Sequence, residues 1–274
     1  MKGAVTTTAS AVHIGTQGWN YDAWVGPFYP SGTRAGDYLS VYARAFATVE
    51  VDSTFYATPS AKTVQGWAAR AGPGFSFALK LPQEITHERR LRDSEEPAQL
   101  FFERVRGLGN ALGPVLVQLG PDFSPTELSA LVDFLALLPR GVRVAVEFRQ
   151  RGWLHDGVLA LLAEHNVALA FADARWMPRR TLLALAERPT ADFLYIRLIG
   201  ADREITEHSR IQADRTRELE AWAAAITASP ARHAFVYAGN HFAGHAPATA
   251  RQLQRLLGQR PVEPADLTEQ ITLF

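Results

Sequence analysis

Short apolar segments alternate along the chain with longer segments of helical periodicity. Some extended segments are almost continuously apolar, as in GPVLV and HAFVYA, whereas Val49 and Val51 alternate with Glu50 and Asp52. The extended pattern predicts eight strands, over residues 13–19, 48–52, 75–81, 115–119, 142–149, 168–173, 193–199 and 234–238. The helical pattern predicts eight helices, over residues 37–46, 61–70, 97–107, 124–135, 156–166, 181–187, 210–227 and 247–258.

Eight strand-then-helix units in about 250 residues are typical of a (β/α)8 TIM-type barrel. No composition break marks a linker, so we expect an α/β fold with a single barrel domain over residues 12–258. Residues 1–11 are expected to form an N-terminal tail, and residues 259–274 a C-terminal tail. An open doubly wound sheet is the alternative, but no glycine-rich dinucleotide motif follows any strand.

Composition narrows the function classes. The 28 basic residues balance 28 acidic ones, so no global positive field attracts nucleic acid and any anion binding has to be local. The chain has no cysteine, which excludes disulfides, thiolate metal sites and a cysteine nucleophile. The first residues lack the apolar core of a signal peptide, and no run reaches the roughly 20 apolar residues of a membrane span. We therefore expect a cytoplasmic protein with no membrane partner.

Polar side chains stand near the carboxyl end of almost every predicted strand, which is the functional face of this fold. The candidate catalytic residues are the acids Glu50, Asp52, Glu147 and Asp173. The candidate substrate-binding residues are Trp19, Asn20, Tyr21, Lys80, His87, Gln118, Arg149, Arg197, Asn240 and His245. Taken singly, each is better explained by a solvated loop, a packing contact or an ion pair inside the barrel. Taken together, they indicate a functional mouth.

The residue types in this set favour an anionic ligand. Lysine and arginine supply fixed positive charge, and the guanidinium fork suits carboxylate or phosphate groups. The acids and histidines could also hold a divalent metal, but no HExxH or similarly diagnostic spacing occurs, so the cofactor stays open. The start of the last predicted helix, near Pro247, adds a weak anion-binding signal.

Several motifs resemble those of the YecE-like family, a domain-of-unknown-function family. They are IGTQGWNYDAWVGPFYP, TVEVDSTFYATP, LKLPQEITHERRL, GPVLVQLGPDF, AVEFR followed by a tryptophan, YIRLIG and GHAPATARQLQRLL. The resemblance extends from about residue 13 to residue 257 and implies a TIM-type barrel. It implies no activity, and a likeness to the barrel of an apurinic-site endonuclease is analogy of fold only.

The chain departs from the family pattern at six positions. The family usually has serine or alanine at Gln17 and histidine at Gln150 and Ile199. After strand eight it has an aromatic residue, two asparagines and an aspartate, whereas this chain has Ala238, Gly239, Asn240 and His241. If that aspartate matters to the family, the activity of this protein is altered.

The final residues, QITLF, resemble the peptide with which bacterial proteins bind the DNA sliding clamp. In that motif Gln270 would anchor by hydrogen bonds while Leu273 and Phe274 enter an apolar pocket. The alternative is that the tail packs against its own barrel.

Two function classes follow from these features. The first is an enzyme, possessing a site at the barrel mouth, that acts on a phosphate-bearing or nucleic-acid substrate such as DNA or a nucleotide. Within this class, Glu50 and Glu147 could also serve as the paired carboxylates of a carbohydrate-active hydrolase. The second is a non-catalytic ligand-binding or adaptor protein recruited through its C-terminal tail.

Overall fold

Eight parallel strands form one sheet in the computed structural model, which describes residues 11–200 and 205–269. The strands are β1 (Ala11–Thr16), β2 (Thr48–Val51), β3 (Ser76–Lys80), β4 (Leu112–Gln118), β5 (Val144–Glu147), β6 (Ala168–Ala174), β7 (Phe193–Gly200) and β8 (His233–Ala238). Their spatial order is β1-β8-β7-β6-β5-β4-β3-β2, so every sequential strand pair except β1 and β2 is hydrogen-bonded as neighbours. The sheet closes almost completely, and the predicted single-domain (β/α)8 barrel is confirmed.

The helices lie between the strands and cover the outside of the barrel. They are α1 (Tyr38–Ala45), α2 (Ala61–Ala71), α3 (Glu95–Val105), α4 (Leu128–Ala136), α5 (Asp156–Glu164), α6 (Arg179–Ala186), α7 (Thr216–Ala228), α8 (Asn240–Ala243), α9 (Ala246–Leu256) and α10 (Pro264–Glu269). Among the described helices, none combines the length and the apolar composition needed to cross a bilayer. The predicted clamp-binding residues Gln270, Leu273 and Phe274 lie outside the described residues.

Helix α7 begins six residues later than the sequence pattern predicted. The prediction placed its start near Arg210, but the backbone N–H of Gln212 donates to the carbonyl of Ala243, which holds this segment in a loop. The Asp214 side chain accepts from the N–H of Thr216 at 2.9 Å and caps the helix there. Within the expected C-terminal tail, α10 packs on α1, where Arg44 donates to the carbonyl of Leu267 at 3.0 Å.

A single tyrosine links the two strands that the ladder leaves unpaired. The Tyr42 hydroxyl accepts from the N–H of Thr16 at 2.8 Å and donates to the carbonyl of Thr48 at 3.1 Å. Beyond it, Gln17 and Glu50 form an isolated parallel bridge. Tyr42, which belongs to α1, therefore supplies hydrogen bonds that the ladder lacks between β1 and β2. These bonds are needed because buried backbone groups have to be paired.

The approach of β1 to β2 depends on a glycine. A Cβ atom at Gly15 would lie 2.0 Å from the carbonyl oxygen of Thr48, well inside van der Waals contact with rigid backbone. Any side chain at this position would push the two strands apart.

Alternate strand residues point into the barrel and form a core of their own. Its members are Ala78, Leu116, Ala145, Ala168, Ala170, Phe193, Tyr195, Phe235 and Tyr237. A larger apolar core lies between the strands and the helices and contains the fully buried Trp24, Trp153 and Trp222. This alternation decides which polar residues of each strand face the barrel axis.

We predict that Gly15→Ala lowers the free energy of unfolding by about 2 kcal/mol or more, because the added methyl group overpacks the junction of β1 and β2. Urea unfolding monitored by tryptophan fluorescence measures the change. Gly36→Ala is the matched control, since a Cβ there meets nothing within 4 Å and should change stability by less than about 0.5 kcal/mol. Equal stability of the two variants would contradict this account of the junction.

Candidate functional site at the carboxyl end of the barrel

A layer of polar side chains caps the apolar core of the barrel. It lies one inward-facing position further along the strands, and its members are Glu50 on β2, Lys80 on β3, Gln118 on β4, Glu147 on β5 and Arg197 on β7. The period of two that predicted these strands also places these residues on the inner face. The structure thus brings together five of the predicted site residues.

Arg197 is the centre of this layer. Its Nε lies 2.9 Å from Glu50 Oε2, and its Nη2 lies 2.7 Å from Glu50 Oε1. Its Nη1 donates to Glu147 Oε2 at 2.6 Å. Gln118 donates to the other oxygen of Glu147 at 2.9 Å, and the Tyr195 hydroxyl donates to Glu50 at 2.6 Å. One guanidinium therefore ties together β2, β5 and β7.

Both carboxylates are fully buried, with 0 % exposure. Burial raises the pKa of Glu50, and nearby Asp52 adds to this rise against the lowering by Arg197. Burial also acts to raise the pKa of Glu147, but the charges of Arg197 and Arg149 outweigh it and the pKa lies below its usual value. The pKa of Arg197 lies well above its usual value, because Glu147 and Glu50 outweigh the effect of its burial. Arg197 therefore stays charged, and all three of its guanidinium nitrogens are bonded to Glu50 and Glu147.

The solvent-facing side of the layer carries two cations with looser partners. Lys80 lies 3.3 Å from Asp52, and the side chains are 10 % and 42 % exposed, respectively. Arg149 lies 3.4 Å from Glu147 and is 27 % exposed. Each cation stands over an aromatic ring, Lys80 over Phe55 at 4.6 Å and Arg149 over Trp176 at 5.3 Å.

His87 lies beside both cations. Its pKa is lowered first by burial and then by the positive charges of Arg149 and Lys80. The ring packs edge-on against Phe55 at 5.1 Å, and Nδ1 is 2.8 Å from the Thr86 hydroxyl. At neutral pH the site therefore presents a neutral imidazole in the field of two positive charges.

The loop that carries His87 has an unusual backbone. Residues Glu84–Glu88 form a π-helical turn, and Arg90, Leu91 and Asp93 follow with φ angles of 52°, 67° and 48°. Left-handed conformations at residues other than glycine cost energy and persist only where the surroundings enforce them. π-Helical turns often occur at functional sites.

Glu127, at the start of α4, holds this loop in its left-handed backbone conformation. Its carboxylate accepts from Arg90 Nε at 2.8 Å and from Arg92 Nη1 at 2.9 Å. These bonds, led by the one from Arg90, lower the pKa of Glu127 to about 2. The same carboxylate accepts from the N–H of Ser124, in a capping box formed by Ser124 and Glu127.

Asp173 does not join the other acids, although the sequence pattern grouped it with them. Its position on β6 faces outward, toward the helices, because the alternate residues Ala168 and Ala170 occupy the barrel interior. Its Oδ2 accepts from Arg179 Nε at 2.7 Å and from Trp222 Nε1 at 2.8 Å. Asp173 therefore links β6 to α6 and α7.

The predicted aromatic and amide residues before α1 also separate. Trp19 packs edge-on against Trp67 and Phe77, outside the barrel, and Asn20 is exposed. Tyr21 stays near the mouth, since burial and the charges of Asp52 and Glu50 raise its pKa to about 12.

Asn240 and His245 lie together at the turn between α8 and α9. The Asn240 side-chain oxygen accepts from Trp24 Nε1 at 3.2 Å and from the N–H of Ala246 at 3.0 Å. His245 Nδ1 bonds to the carbonyl of His208 at 2.8 Å, and burial lowers its pKa to about 4. These contacts hold the loop before α7 against α9, to one side of the Arg197 layer.

Sequence reasoning did not include Tyr195, Trp176 and Glu127 among the site residues. The sequence could have indicated Tyr195, because it stands two residues before Arg197 on β7 and therefore lies on the same face of the strand. Trp176 and Glu127 act across loops from distant parts of the chain, and no spacing indicates their contacts. Among the described residues, no group of three or more histidine and acidic side chains is placed to hold a metal ion.

A family model described as "Protein of unknown function DUF72" matches residues 13–271. The chain belongs to the DUF72 family. This confirms the YecE-like resemblance of the sequence motifs.

Two curated relatives and one solved structure show how far the likeness to other DUF72 proteins extends. UPF0759 protein YecE of Escherichia coli K12 is 33% identical over 147 residues, covering 53% of this chain and 51% of YecE. UPF0759 protein YunF of Bacillus subtilis 168 is 29% identical over 150 residues, covering 52% of each protein. The chain spans about half the length of the curated relatives it matches. The DUF72 protein TM1631 of Thermotoga maritima MSB8 has a TM-score of 0.75 at 22% identity, over 91% of this chain and 100% of that one. That likeness shows the shared fold.

Two departures from the DUF72 motifs are spatial neighbours. A Cβ atom at Gly239 would lie 2.8 Å from Gln17 Oε1, so the long side chain at position 17 occupies the space that a side chain at 239 would need. A third departure, His241, bonds through Nδ1 to the carbonyl of Ile205 at 2.9 Å. Gln17 and Gly239 lie where the neighbouring strands β1 and β8 end.

We predict that Arg197→Met lowers the free energy of unfolding by about 3–5 kcal/mol at pH 8, because it leaves buried Glu50 without its ion-pair partner and Glu147 with only the 3.4 Å contact to Arg149. Without Arg197 the folded-state pKa of Glu50, already raised by burial, rises further, and the pKa of Glu147 rises from below its usual value because burial is no longer outweighed. Stability is then lost as pH rises through those values, so the deficit relative to wild type should shrink between pH 8 and pH 5.

Urea unfolding at pH 5, 6.5 and 8 measures this deficit. Arg180→Met is the matched control, since Arg180 is exposed on α6 and should change stability by less than about 0.5 kcal/mol. A deficit that is independent of pH, or no larger than that of the control, would show that Arg197 does not neutralise the two acids.

Proposed function

We propose that the barrel mouth binds a small phosphate-bearing substrate and that the protein acts on it as an enzyme, as a phosphoesterase-like hydrolase. One observation carries this proposal: Lys80 and Arg149, whose side chains are 10 % and 27 % exposed and whose carboxylate contacts are long, lie near His87 beside the buried ion pairs of Arg197. Glu50 and Glu147 occupy the hydrogen-bond donors of Arg197, so Lys80 and Arg149 remain available to a ligand.

The two cations are available because their protein contacts are long and few. Each reaches its carboxylate through a single nitrogen, at 3.3 Å for Lys80 and 3.4 Å for Arg149. By contrast, Arg197 makes bonds of 2.6–3.1 Å with all of its nitrogens. The Nη atoms of Arg149 make no hydrogen bond to a described residue, so the guanidinium fork can receive a phosphate group.

Charge favours a nucleotide-sized substrate over duplex DNA. Duplex binding draws on many lysine and arginine contacts to successive phosphates. This chain balances 28 basic against 28 acidic residues, and the mouth itself contains Asp52 beside Lys80. Two local cations match one terminal phosphate or phosphodiester group.

His87 and Asp52 are the accessible acid–base groups of the proposed reaction. In hydrolysis, neutral His87 would accept a proton from the attacking water as the new P–O bond forms and the ester P–O bond breaks. Lys80 and Arg149 would stabilise the charge on the phosphoryl oxygens. Glu50 and Glu147, being buried, would act through Arg197 and Arg149 as positioning residues.

The same burial argues against a carbohydrate-active hydrolase using Glu50 and Glu147. Such an enzyme needs one carboxyl that donates a proton and a second that reaches the sugar or a water molecule. Here both carboxylates are bonded to Arg197 and have no exposure. The pKa of Glu147 is also lowered, which opposes a role as the acid.

We expect Lys80→Met and Arg149→Met each to weaken the binding of inorganic phosphate roughly tenfold or more, because each removes a charge-assisted hydrogen bond. Binding is read at the mouth through the NMR signal of the His87 imidazole. Lys62→Met removes an exposed lysine on α2 and is the matched control. A His87 signal that phosphate leaves unchanged would remove the proposed site.

Turnover separates the enzyme from a binding module. His87→Gln should abolish hydrolysis of p-nitrophenyl phosphate or of bis(p-nitrophenyl) phosphate, whichever the wild type cleaves, while phosphate binding by isothermal titration changes less than about threefold. Wild-type activity should fall as pH drops below the lowered pKa of His87, because the base must be neutral. Phosphate binding without hydrolysis of either ester would leave the binding module as the function.

Recruitment by the DNA sliding clamp is a separate proposal that rests on the sequence of the last five residues. A peptide ending in QITLF should bind a bacterial clamp in fluorescence polarisation, and substitution of Phe274 by alanine should weaken binding roughly tenfold, through lost burial of its ring. Alanine in place of Thr272, a variable position of the motif, is the control. No binding, or binding indifferent to Phe274, would end this proposal.

A further inference from the structure

The amino-terminal end of the barrel contains a second cleft, on the opposite side from the mouth. Its volume is about 750 Å³, which lies within the usual range for small-molecule sites. The walls come from the starts of β3, β4 and β8, the end of α2 and the residue before β5. Its apolar lining includes Ala68, Pro73, Leu108 and Leu112.

Three nitrogen-bearing side chains gather around one ring in this cleft. His13 stacks on Phe235 with the ring centroids 4.8 Å apart and the planes 11° apart. The guanidinium of Arg143 stands over the same ring at 5.8 Å, and the His233 ring lies 6.2 Å from His13. All four residues line the cleft.

No carboxylate of the described residues forms an ion pair with this group. Arg143 forms no ion pair with a carboxylate of the described residues, and the described residues lining the cleft include no aspartate or glutamate. His233 Nδ1 is buried without a hydrogen-bond partner. Arginines and buried imidazole nitrogens are ordinarily paired, so the cleft has donors in excess.

Burial and nearby positive charge lower the pKa values of both histidines in the cleft. Burial, His233 and Arg143 lower the pKa of His13. Burial and Arg143 lower the pKa of His233, with Arg232 in the same direction and Asp192 in opposition. Both imidazoles are thus kept neutral first by burial and then by nearby positive charge, and a bound anion would offset that positive charge.

We propose that this cleft is a second ligand site, which binds the phosphate group of an organic phosphate with an apolar or aromatic body. The Arg143 fork and two imidazole N–H groups supply donors for the three terminal oxygens of a phosphate, whereas a carboxylate offers only two oxygens. The apolar lining, which includes Ala68, Pro73, Leu108 and Leu112, receives the body of the ligand. This site is independent of the function proposed for the mouth.

Histidine NMR tests the cleft and the mouth separately in the full chain. Phenyl phosphate is the probe, and the signals of His13 and His233 are assigned with the variants His13→Gln and His233→Gln. We expect phenyl phosphate to raise the pKa of both histidines, because a nearby negative charge favours the imidazolium form. Arg143→Met should weaken this response roughly tenfold or more and leave the response of His87 unchanged.

Arg140→Met is the matched control, because Arg140 is exposed and precedes the same strand. Benzoate should bind this cleft at least roughly tenfold more weakly than phenyl phosphate, since it lacks the third oxygen. Wild-type His13 and His233 signals that do not respond to phenyl phosphate would overturn the site, and so would a response that survives Arg143→Met. Equal binding of benzoate would overturn the assignment of phosphate as its ligand.

Discussion

The sharing of one guanidinium between two buried carboxylates is the constraint on which the carboxyl end of this barrel depends. Arg197 binds Glu50 through two nitrogens and Glu147 through the third. Such a buried ion-pair group adds little net stability over an apolar layer, but the loss of one member is costly. The effect of this ion-pair group is geometric, because it fixes the carboxyl ends of strands β2, β5 and β7 relative to one another.

The same arrangement decides which charges a ligand can reach. The polar layer and its rim contain three carboxylates and three cations, namely Glu50, Asp52, Glu147, Lys80, Arg149 and Arg197. Because Arg197 takes up the two buried acids, Lys80 and Arg149 are left with single, longer contacts. The strained loop held by Glu127 carries His87, whose pKa is lowered first by burial and then by the charges of these two cations. The backbone strain of this loop is the cost of placing the His87 imidazole near the two cations.

The sequence was sufficient for the barrel because its signals are local. Apolar runs of strand length and helical periodicity recur eight times, and the period of two placed Glu50, Lys80, Glu147 and Arg197 on the inner face. Asp173 shows the limit of that reasoning. Its strand is buried on both faces, so the pattern could not tell which set of alternate residues points inward, and alanines fill the interior instead.

The remaining features depend on contacts between distant segments. The π-turn at Glu84–Glu88 and the left-handed residues after it carry no glycine signal, since Glu127, more than thirty residues away, enforces the backbone. The cleft at the other end was equally hidden, because His13, Arg143 and His233 meet only when strands β1, β5 and β8 are assembled. Long-range pairing of charges, unlike strand periodicity, leaves no mark on a single sequence.

The central claim is that the outer cations of the mouth, freed by the Arg197 layer, hold a phosphate group. Anomalous diffraction from crystals soaked in tungstate, a heavy analogue of phosphate, tests it most directly. The account predicts a tungsten peak within hydrogen-bond reach of Lys80 Nζ, the Arg149 guanidinium and the His87 ring. A mouth without a peak, in crystals where tungstate is bound elsewhere on the protein, would contradict it.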